Sequence, residues 1–207
     1  MKTVSILAAL ALLSACGPMN EGGLGQRFYN SVTGAEAAPA AAPTLPAQVE
    51  GNVLFTQLTG KNATAALVRQ NTRGETVTWI SPGKVTLSLE NDILVATRGL
   101  GNDLMGADVA GARAAIRAGN GETTRTISQL DGQDQITTIT LTCTYTRLGA
   151  EEVTLVAGPR TLSRVDEACE SRQLVFTNSY WLDAGGAIVR SKQAITPAEG
   201  FMIAEAL

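Results

Sequence analysis

The sequence contains no histidine among its 207 residues. This absence excludes Ser-His-Asp and Cys-His catalysis and the zinc sites that depend on imidazole ligands. Aromatic residues make up only 4% of the chain, so valine, leucine, isoleucine and threonine must fill and face any core. The 16 basic residues form no cluster, whereas nucleic-acid binding requires a positive stripe. We therefore expect no metal site, no cofactor and no nucleic-acid partner.

The amino terminus has the features of a bacterial lipoprotein signal. Lys2 precedes an apolar run at residues 4–13, which is too short to cross a bilayer as a helix because crossing takes roughly 20 residues. Residues 13–16 read Leu-Ser-Ala-Cys, the pattern of a lipobox that ends in an acylated cysteine. We predict a signal peptide at residues 1–15 and lipidation of Cys16. The alternative is an ordinary secretory signal with an incidental cysteine.

Lipidation determines where the protein is expected to reside. Bacterial lipoproteins carry two or three acyl chains, and each buried methylene contributes roughly 0.8 kcal/mol to membrane attachment. The residue after Cys16 is Gly17 rather than the aspartate that retains many lipoproteins in the inner membrane. The expected location is the outer membrane, with the protein anchored through its N-terminal lipid and facing the periplasm.

A change in composition separates this anchor from the rest of the chain. Residues 16–48 are rich in glycine, alanine and proline, and Pro39, Pro43 and Pro46 interrupt any alanine-rich helix. We interpret this segment as a flexible tether, which would span about 30 Å root-mean-square. Residues 49–207 are predicted to form a single domain composed mainly of β-strands.

The segment 76–108 is predicted to be the centre of an antiparallel sheet. Apolar and polar residues alternate at residues 85–90, which is typical of a strand with one buried face. Pro82-Gly83 and Asn91-Asp92 provide the turns of successive hairpins. A glycine-rich loop at residues 99–106 then leaves the sheet, and residues 108–118 have helical spacing.

The clearest strand covers residues 138–147. Ile139, Leu141, Cys143 and Tyr145 share one face, and five threonines share the other. The threonine face is interpreted as solvent-exposed, with a ligand-binding array as the alternative.

Two cysteines remain once Cys16 is assigned to the lipid, and both lie in the predicted domain. An exported protein meets an oxidising compartment, so Cys143 and Cys169 are predicted to form a disulfide. Two unpaired buried thiols are the alternative.

Three further segments carry a resemblance to a known family. They are Trp79 with its neighbours in Thr-Trp-Ile-Ser, the stretch 93–104 that ends in Gly-Leu-Gly-Asn-Asp-Leu, and residues 176–181, Phe-Thr-Asn-Ser-Tyr-Trp. Over residues 50–200, together with the lipobox, the chain resembles the YjbF/GfcB family of outer-membrane lipoproteins from exopolysaccharide and group 4 capsule operons. The resemblance implies a meander of antiparallel strands curled into an open half-barrel, and an accessory role in polysaccharide export. It transfers no catalytic residues.

Several residues are candidates for binding or chemistry. Trp79, Tyr180 and Trp181 are interpreted as ordinary core packing, and the alternative is that they are possible ligand-contacting aromatics on adjacent strands, on the concave side of the half-barrel. The glycine loop at residues 99–104 lacks the third glycine and the βαβ context of a dinucleotide site. Two pairs of carboxylates could serve in glycan hydrolysis, Asp103 with Asp108 and Asp131 with Asp134. The alternative is that these aspartates cap turns and helices.

Together these observations predict a non-enzymatic outer-membrane lipoprotein that assists exopolysaccharide or capsule assembly or export. Its partners would be the polysaccharide or an outer-membrane export protein. The alternative is a periplasmic carrier or assembly factor that holds lipid or lipoprotein in the concavity of the half-barrel.

Overall fold

Twelve β-strands and one short helix make up most of the described residues, which in this computed structural model are 52–130, 133 and 135–206. The strands are β1 (Val53–Leu58), β2 (Ala63–Arg73), β3 (Thr76–Ile80), β4 (Thr86–Glu90), β5 (Ile93–Arg98), β6 (Leu104–Asp108), β7 (Asn120–Leu130), β8 (Ile136–Leu155), β9 (Gly158–Glu170), β10 (Val175–Leu182), β11 (Ile188–Thr196) and β12 (Gly200–Ala206). The helix α1 spans Ala112–Ala118. The predicted class, mainly β with one short helix, is confirmed.

The strands form one antiparallel sheet in the order β5-β4-β3-β2-β1-β12-β11-β10-β9-β8-β7-β6. Every neighbour in this order is also a neighbour in the chain, except that β1 pairs with β12. The two edge strands, β5 and β6, are consecutive in the chain and lie side by side. The curled antiparallel meander is therefore confirmed. The sheet closes further than an open half-barrel suggests, and only the seam between β5 and β6 lacks a backbone ladder.

Side chains rather than backbone hydrogen bonds bridge this seam. The guanidinium of Arg98 donates to the carbonyl oxygens of Leu104 and Met105, in both cases at 3.1 Å. The Thr97 hydroxyl donates to Asp103 at 2.7 Å and accepts from the Leu104 N–H at 3.0 Å. These contacts hold the two edges together without making them a continuous ladder.

The expected position of the segment 76–108 is wrong. Its strands β3, β4 and β5 form one edge of the sheet and β6 forms the other, while the middle of the sheet is the β12–β11 pair. Hairpin turns specify which strands are adjacent, but the pairing between the first and last strands decides which are central. The glycine-rich loop is also shorter than predicted, because the chain re-enters the sheet at Leu104 as β6.

The helix begins later than its sequence pattern predicts. It starts at Ala112, after Gly111 in the left-handed conformation at φ 79°, instead of at residue 108. Asp108 does not cap it. The Asp108 carboxylate accepts the N–H of Ala110 at 3.0 Å and so stabilises the turn before the helix. Gly119, with φ 71°, ends the helix as predicted.

The inner surface of the curled sheet holds one large apolar cluster. Side chains from strands on both sides of the seam contribute to it, so the cluster joins the two halves of the sheet. Its largest fully buried members are Leu67, Leu87, Ile93, Leu94, Leu104, Ile116, Leu141, Tyr180 and Met202. Burial of this surface is the main force that curls the sheet.

Some predictions lie outside the described residues. These are the signal peptide at residues 1–15, the tether at residues 16–48 with Cys16, and the carboxylates Asp131 and Asp134. The boundaries proposed for the domain likewise remain predictions. No helix within residues 52–130 and 135–206 is long and apolar enough to cross a membrane.

Gly60 illustrates how closely the β1–β2 turn approaches the β11–β12 turn. A Cβ atom at Gly60 would lie 2.4 Å from the backbone oxygen of Glu199, which accepts the Gly60 N–H. We expect Gly60→Ala to lower the free energy of unfolding by about 1–3 kcal/mol, because backbone must move to relieve the overlap. Gly106→Ala is the control, since its Cβ would meet nothing within 4 Å, and urea unfolding should leave its stability nearly unchanged. Equal effects of the two substitutions would contradict this reading.

Candidate functional site

A disulfide links the neighbouring strands β8 and β9. Cys143 and Cys169 are directly opposite in the ladder, with an S–S distance of 2.02 Å and Cα atoms 4.0 Å apart. Both side chains are buried on the inner face, as are Ile139, Leu141 and Tyr145. The predicted bridge is thus present, on the face predicted for it.

Next to the disulfide lies a buried polar cluster that we call the buried network. Its members are Arg125, Tyr145, Glu167, Asn178, Tyr180 and Gln193. All six side chains are less than 5% exposed, on the inner faces of β7 to β11. In a sheet of this kind the same positions would normally hold aliphatic side chains.

Glu167 is the centre of the buried network. Its two carboxylate oxygens accept hydrogen bonds from Arg125 at 3.2 and 3.1 Å, Tyr145 at 2.9 Å, Asn178 at 2.7 Å and Tyr180 at 2.8 Å. A buried carboxylate is tolerated only when it is paired and hydrogen-bonded in this way. The network therefore keeps one negative and one positive charge inside the protein in a neutral pair.

The buried network also satisfies the backbone of the edge strand β5. Gln193 accepts the N–H of Leu94 at 2.7 Å, and Arg125 donates to the carbonyl oxygen of Leu94 at 3.0 Å. Gln193 further donates to the carbonyl oxygen of Asp92 at 2.9 Å. An unpaired strand edge would otherwise leave these groups without partners. The network is therefore what holds β5 against the opposite wall of the sheet.

The two tyrosines of the network should titrate late. Burial first, and then the negative charge of Glu167, raise the pKa of Tyr145 and of Tyr180 well above the usual value of about 10. Because the folded protein keeps these protons to higher pH than the unfolded chain does, the contribution of the two tyrosines to stability should be complete below about pH 10 and should be lost as the pH rises above it. We expect tyrosinate absorbance to show delayed ionisation in the folded protein. Ionisation of all tyrosines near pH 10 in the native state would contradict this prediction.

The predicted grouping of three aromatic side chains is wrong. Trp79 on β3 and Tyr180 on β10 are not on adjacent strands, because β2, β1, β12 and β11 lie between them in the sheet. Trp79 is 7% exposed and Tyr180 is fully buried, so both belong to the core, as the favoured interpretation of these residues predicts. Trp181 follows Tyr180 in the same strand and therefore points to the opposite face.

Trp181 is covered by the end of the β8–β9 hairpin, residues 149–164, which we call the fold-back. A bulge after Arg147 turns the side chains of β8 that would point inward to the outer face. Val153, Leu155 and Leu162 therefore pack with Trp181 on the outer face. The guanidinium groups of Arg164 and Arg190 lie 5.5 and 5.6 Å from its ring centroid. The ring is thus held by its own chain rather than presented to a ligand.

The fold-back is anchored on the far side by polar contacts. The N–H of Val156 donates to Glu205 at 2.8 Å, and Arg190 donates to the carbonyl oxygen of Thr154 at 3.0 Å. Arg190 and Glu205 also form an ion pair at 3.0 Å. These bonds fix the hairpin tip over β11 and β12.

Two of the four carboxylates considered for glycan hydrolysis, Asp103 and Asp108, lie in the described residues and accept hydrogen bonds from the backbone. Asp103 is 7% exposed and accepts hydrogen bonds from the Thr97 hydroxyl and from the N–H groups of Gly99 and Leu100 at 2.7, 2.9 and 3.2 Å. These hydrogen bonds hold the loop that precedes β6 in its conformation. Asp108, as described above, caps a turn.

Potential metal ligands converge at one place among the described residues, where Cys143, Glu167 and Cys169 lie within 4.8 Å of one another. Both sulfur atoms are bonded to each other, and Glu167 already accepts five hydrogen bonds from four side chains. A disulfide supplies no thiolate, so these residues do not fit a metal ion.

The outer face of β7 and β8 carries a regular array of hydroxyl groups. Ser128 lies opposite Thr138 with their oxygens 3.0 Å apart, and Thr126 lies opposite Thr140 at 3.5 Å. The threonines at 138, 140, 142, 144 and 146 are all exposed, as predicted. We call these five residues with Thr124, Thr126 and Ser128 the hydroxyl face.

Sequence reasoning missed Arg125 and Glu167. The signal for Glu167 was available, because a buried cysteine at 169 places the residue two positions earlier on the same inner face. No comparable signal exists for Arg125, which lies in a strand with a single large apolar residue pointing inward, Ile127.

Comparison with known proteins supports a common fold over nearly all of the described chain. A family model described as "Group 4 capsule polysaccharide lipoprotein gfcB, YjbF" matches residues 26–207. The crystal structure of the hypothetical lipoprotein YmcC from Escherichia coli (K12) is similar at 18% identity, with a TM-score of 0.66, over 90% of this chain and 96% of that one. A putative exported protein with a YmcC-like fold from Bacteroides fragilis matches at 10% identity, with a TM-score of 0.28, over 75% and 93% of the two chains. No curated protein sequence matches.

Proposed function

Because this chain belongs to the YjbF family of group 4 capsule lipoproteins, we propose that it is a non-enzymatic accessory factor in exopolysaccharide or capsule assembly or export. It acts from the outer membrane and binds the polymer on its hydroxyl face. The observation that carries this proposal is the array itself, eight hydroxyl side chains on the outer face of two paired strands, six of which are exposed.

The chemistry of the hydroxyl face suits a polysaccharide. Each hydroxyl both donates and accepts a hydrogen bond, which matches the hydroxyl groups of sugars. Successive outward residues of a strand are about 6.8 Å apart, so the array repeats along its length and can contact an extended polymer at several places. Binding through many weak contacts gives useful affinity by multivalency.

A direct test replaces hydroxyls by methyl groups without changing side-chain shape. We expect the double variant Thr140→Val, Thr142→Val to lose at least fivefold in affinity for the exopolysaccharide purified from the host. The matched control is Thr72→Val, Thr161→Val, because both of these threonines are also exposed on strands but lie outside the hydroxyl face. Equal affinity of the two double variants would refute binding on this face. Capture of an outer-membrane export protein by the intact chain would then favour the partner over the polymer.

A non-enzymatic role is supported by the hydrogen bonds that engage Asp103 and Asp108, two of the carboxylates considered for glycan hydrolysis. Asp103 is committed to hydrogen bonds within its own loop, and Asp108 to a turn. We expect Asp103→Asn, Asp108→Asn to leave polymer chain length unchanged in a producing strain, provided that the variant is shown to fold. Longer polymer in that strain would instead identify a hydrolase.

Attachment through Cys16 is the second component of the proposal. An acylated Cys16 followed by Gly17 would place the domain on the outer membrane. Labelling with a palmitate analogue should be lost in Cys16→Ala, and the variant should move from the membrane fraction to the soluble periplasm. Membrane fractionation that does not respond to this substitution would contradict lipid anchoring.

A further inference from the structure

The sheet opens between β10 and β11. Their ladder extends from the pair Leu182 and Ile188 only as far as Ser179 and Lys192. Beyond it, the first four residues of β10 pair with β9 alone, and Asn178 accepts the N–H of Ala194 through its side chain at 2.7 Å. The two strands therefore separate over the last part of β11, which leaves a gap in the wall of the sheet.

A cavity of about 190 Å³ occupies this gap. Leu174, Val175 and Phe176 line one side of it, and residues 194–197 with Phe201 line the other. Since an apolar cavity of about 150 Å³ accommodates benzene, this one has room for about seven or eight carbon atoms. Val175 is 72% exposed, so the cavity is reached directly from solvent.

The polar side chain in the deep wall of the cavity is Arg125 of the buried network. Its two terminal nitrogens are occupied by Glu167 and by the carbonyl oxygen of Leu94. Its Nε atom, in a side chain 3% exposed, is buried and has no acceptor among the described residues. A buried donor without a partner is unfavourable, and most buried polar groups in native proteins have one.

The charge around Arg125 decides which kind of acceptor fits. Glu167 already neutralises the guanidinium at 3.1 Å, so a second buried carboxylate would bring an unbalanced negative charge into the interior. An uncharged carbonyl oxygen accepts the N–H without that cost. We propose that this cavity binds an acyl ester or acyl amide, with its carbonyl oxygen at Arg125 Nε and its hydrocarbon chain against the apolar walls.

This site is separate from the hydroxyl face and does not depend on polymer binding. Acyl chains of this chemistry occur both in membrane lipids and as substituents on polysaccharides. Calorimetric titration of the full-length protein with methyl hexanoate, sodium hexanoate and glucose pentaacetate distinguishes the sources. We expect methyl hexanoate to bind at least tenfold more tightly than hexanoate. Hexanoate binding as tightly as methyl hexanoate, or no binding of either ester, would overturn the proposal. Tighter binding of glucose pentaacetate than of methyl hexanoate would identify substituents on polysaccharides, and the reverse order would identify membrane lipids.

Two variants locate the binding. Ala194→Leu should fill the cavity and weaken methyl hexanoate at least tenfold, whereas Ala96→Leu, on another half-buried alanine outside the cavity, should leave its affinity unchanged. Val175→Trp, at the exposed mouth of the cavity, should also prevent entry of the ligand, without disturbing the core. Binding that survives both Ala194→Leu and Val175→Trp would place the ligand elsewhere and refute the assignment.

Discussion

Replacing Glu167 with leucine should destabilise the protein by about 3–5 kcal/mol, which is a large fraction of the stability of an ordinary domain. The substitution leaves the Arg125 charge buried with no counter-charge, since Arg125 is only 3% exposed and Glu167 is its salt-bridge partner. It also removes the acceptor shared by Tyr145, Asn178 and Tyr180. Urea unfolding followed by circular dichroism measures the loss.

The double variant Arg125→Met, Glu167→Leu separates the cost of a lone charge from the value of the pair. Removing both charges should restore a large part of the stability, because a buried ion pair seldom contributes more to the free energy of unfolding than well-packed apolar side chains of similar volume. The recovery will be incomplete, since Arg125 also donates to the carbonyl oxygen of Leu94 at 3.0 Å. A double variant as unstable as Glu167→Leu would show that the hydrogen bonds, and not the charge balance, account for the effect.

The buried network explains why some strands were predictable and others were not. The strand with threonine on one face and Cys143 on the other was recognised because its inner positions are uniformly apolar. On β7 and β9 the inner positions include Arg125 and Glu167, which interrupt the apolar alternation on which strand prediction depends. Because of these two charged residues, the sequence pattern predicts neither β7 nor β9, and it does not indicate the role of Arg125 and Glu167.

The position of the segment 76–108 in the sheet shows a second limit of prediction from the sequence. The turn Asn91-Asp92, with φ 50° and 68°, was predictable because both residue types tolerate the left-handed conformation of a hairpin turn. Which hairpin lies at the edge depends on the pairing of β1 with β12, across almost the whole described chain. Local patterns carry no information about such a contact, so the segment 76–108 was wrongly predicted to be central.

Removal of the disulfide should be the other large effect. The bond closes a loop with a sequence separation of 26 residues, for which the chain-entropy model gives roughly 3.5 kcal/mol. We expect Cys143→Ala, Cys169→Ala to lower the free energy of unfolding by about 2–4 kcal/mol, because the unfolded chain gains freedom while β8 and β9 remain paired in the native state.

Reducing agent provides the matched control for this variant, because it breaks the same bond without changing the sequence. Dithiothreitol should lower the urea midpoint of the wild-type protein to nearly that of the alanine pair and leave the alanine pair itself unaffected. Cys143 and Cys169 are 0% and 1% exposed, so reduction of the native protein should require partial opening of the β8–β9 pair and be slow. Rapid reduction in the absence of urea would show that this part of the sheet opens readily, which is incompatible with a rigid support for the neighbouring buried network.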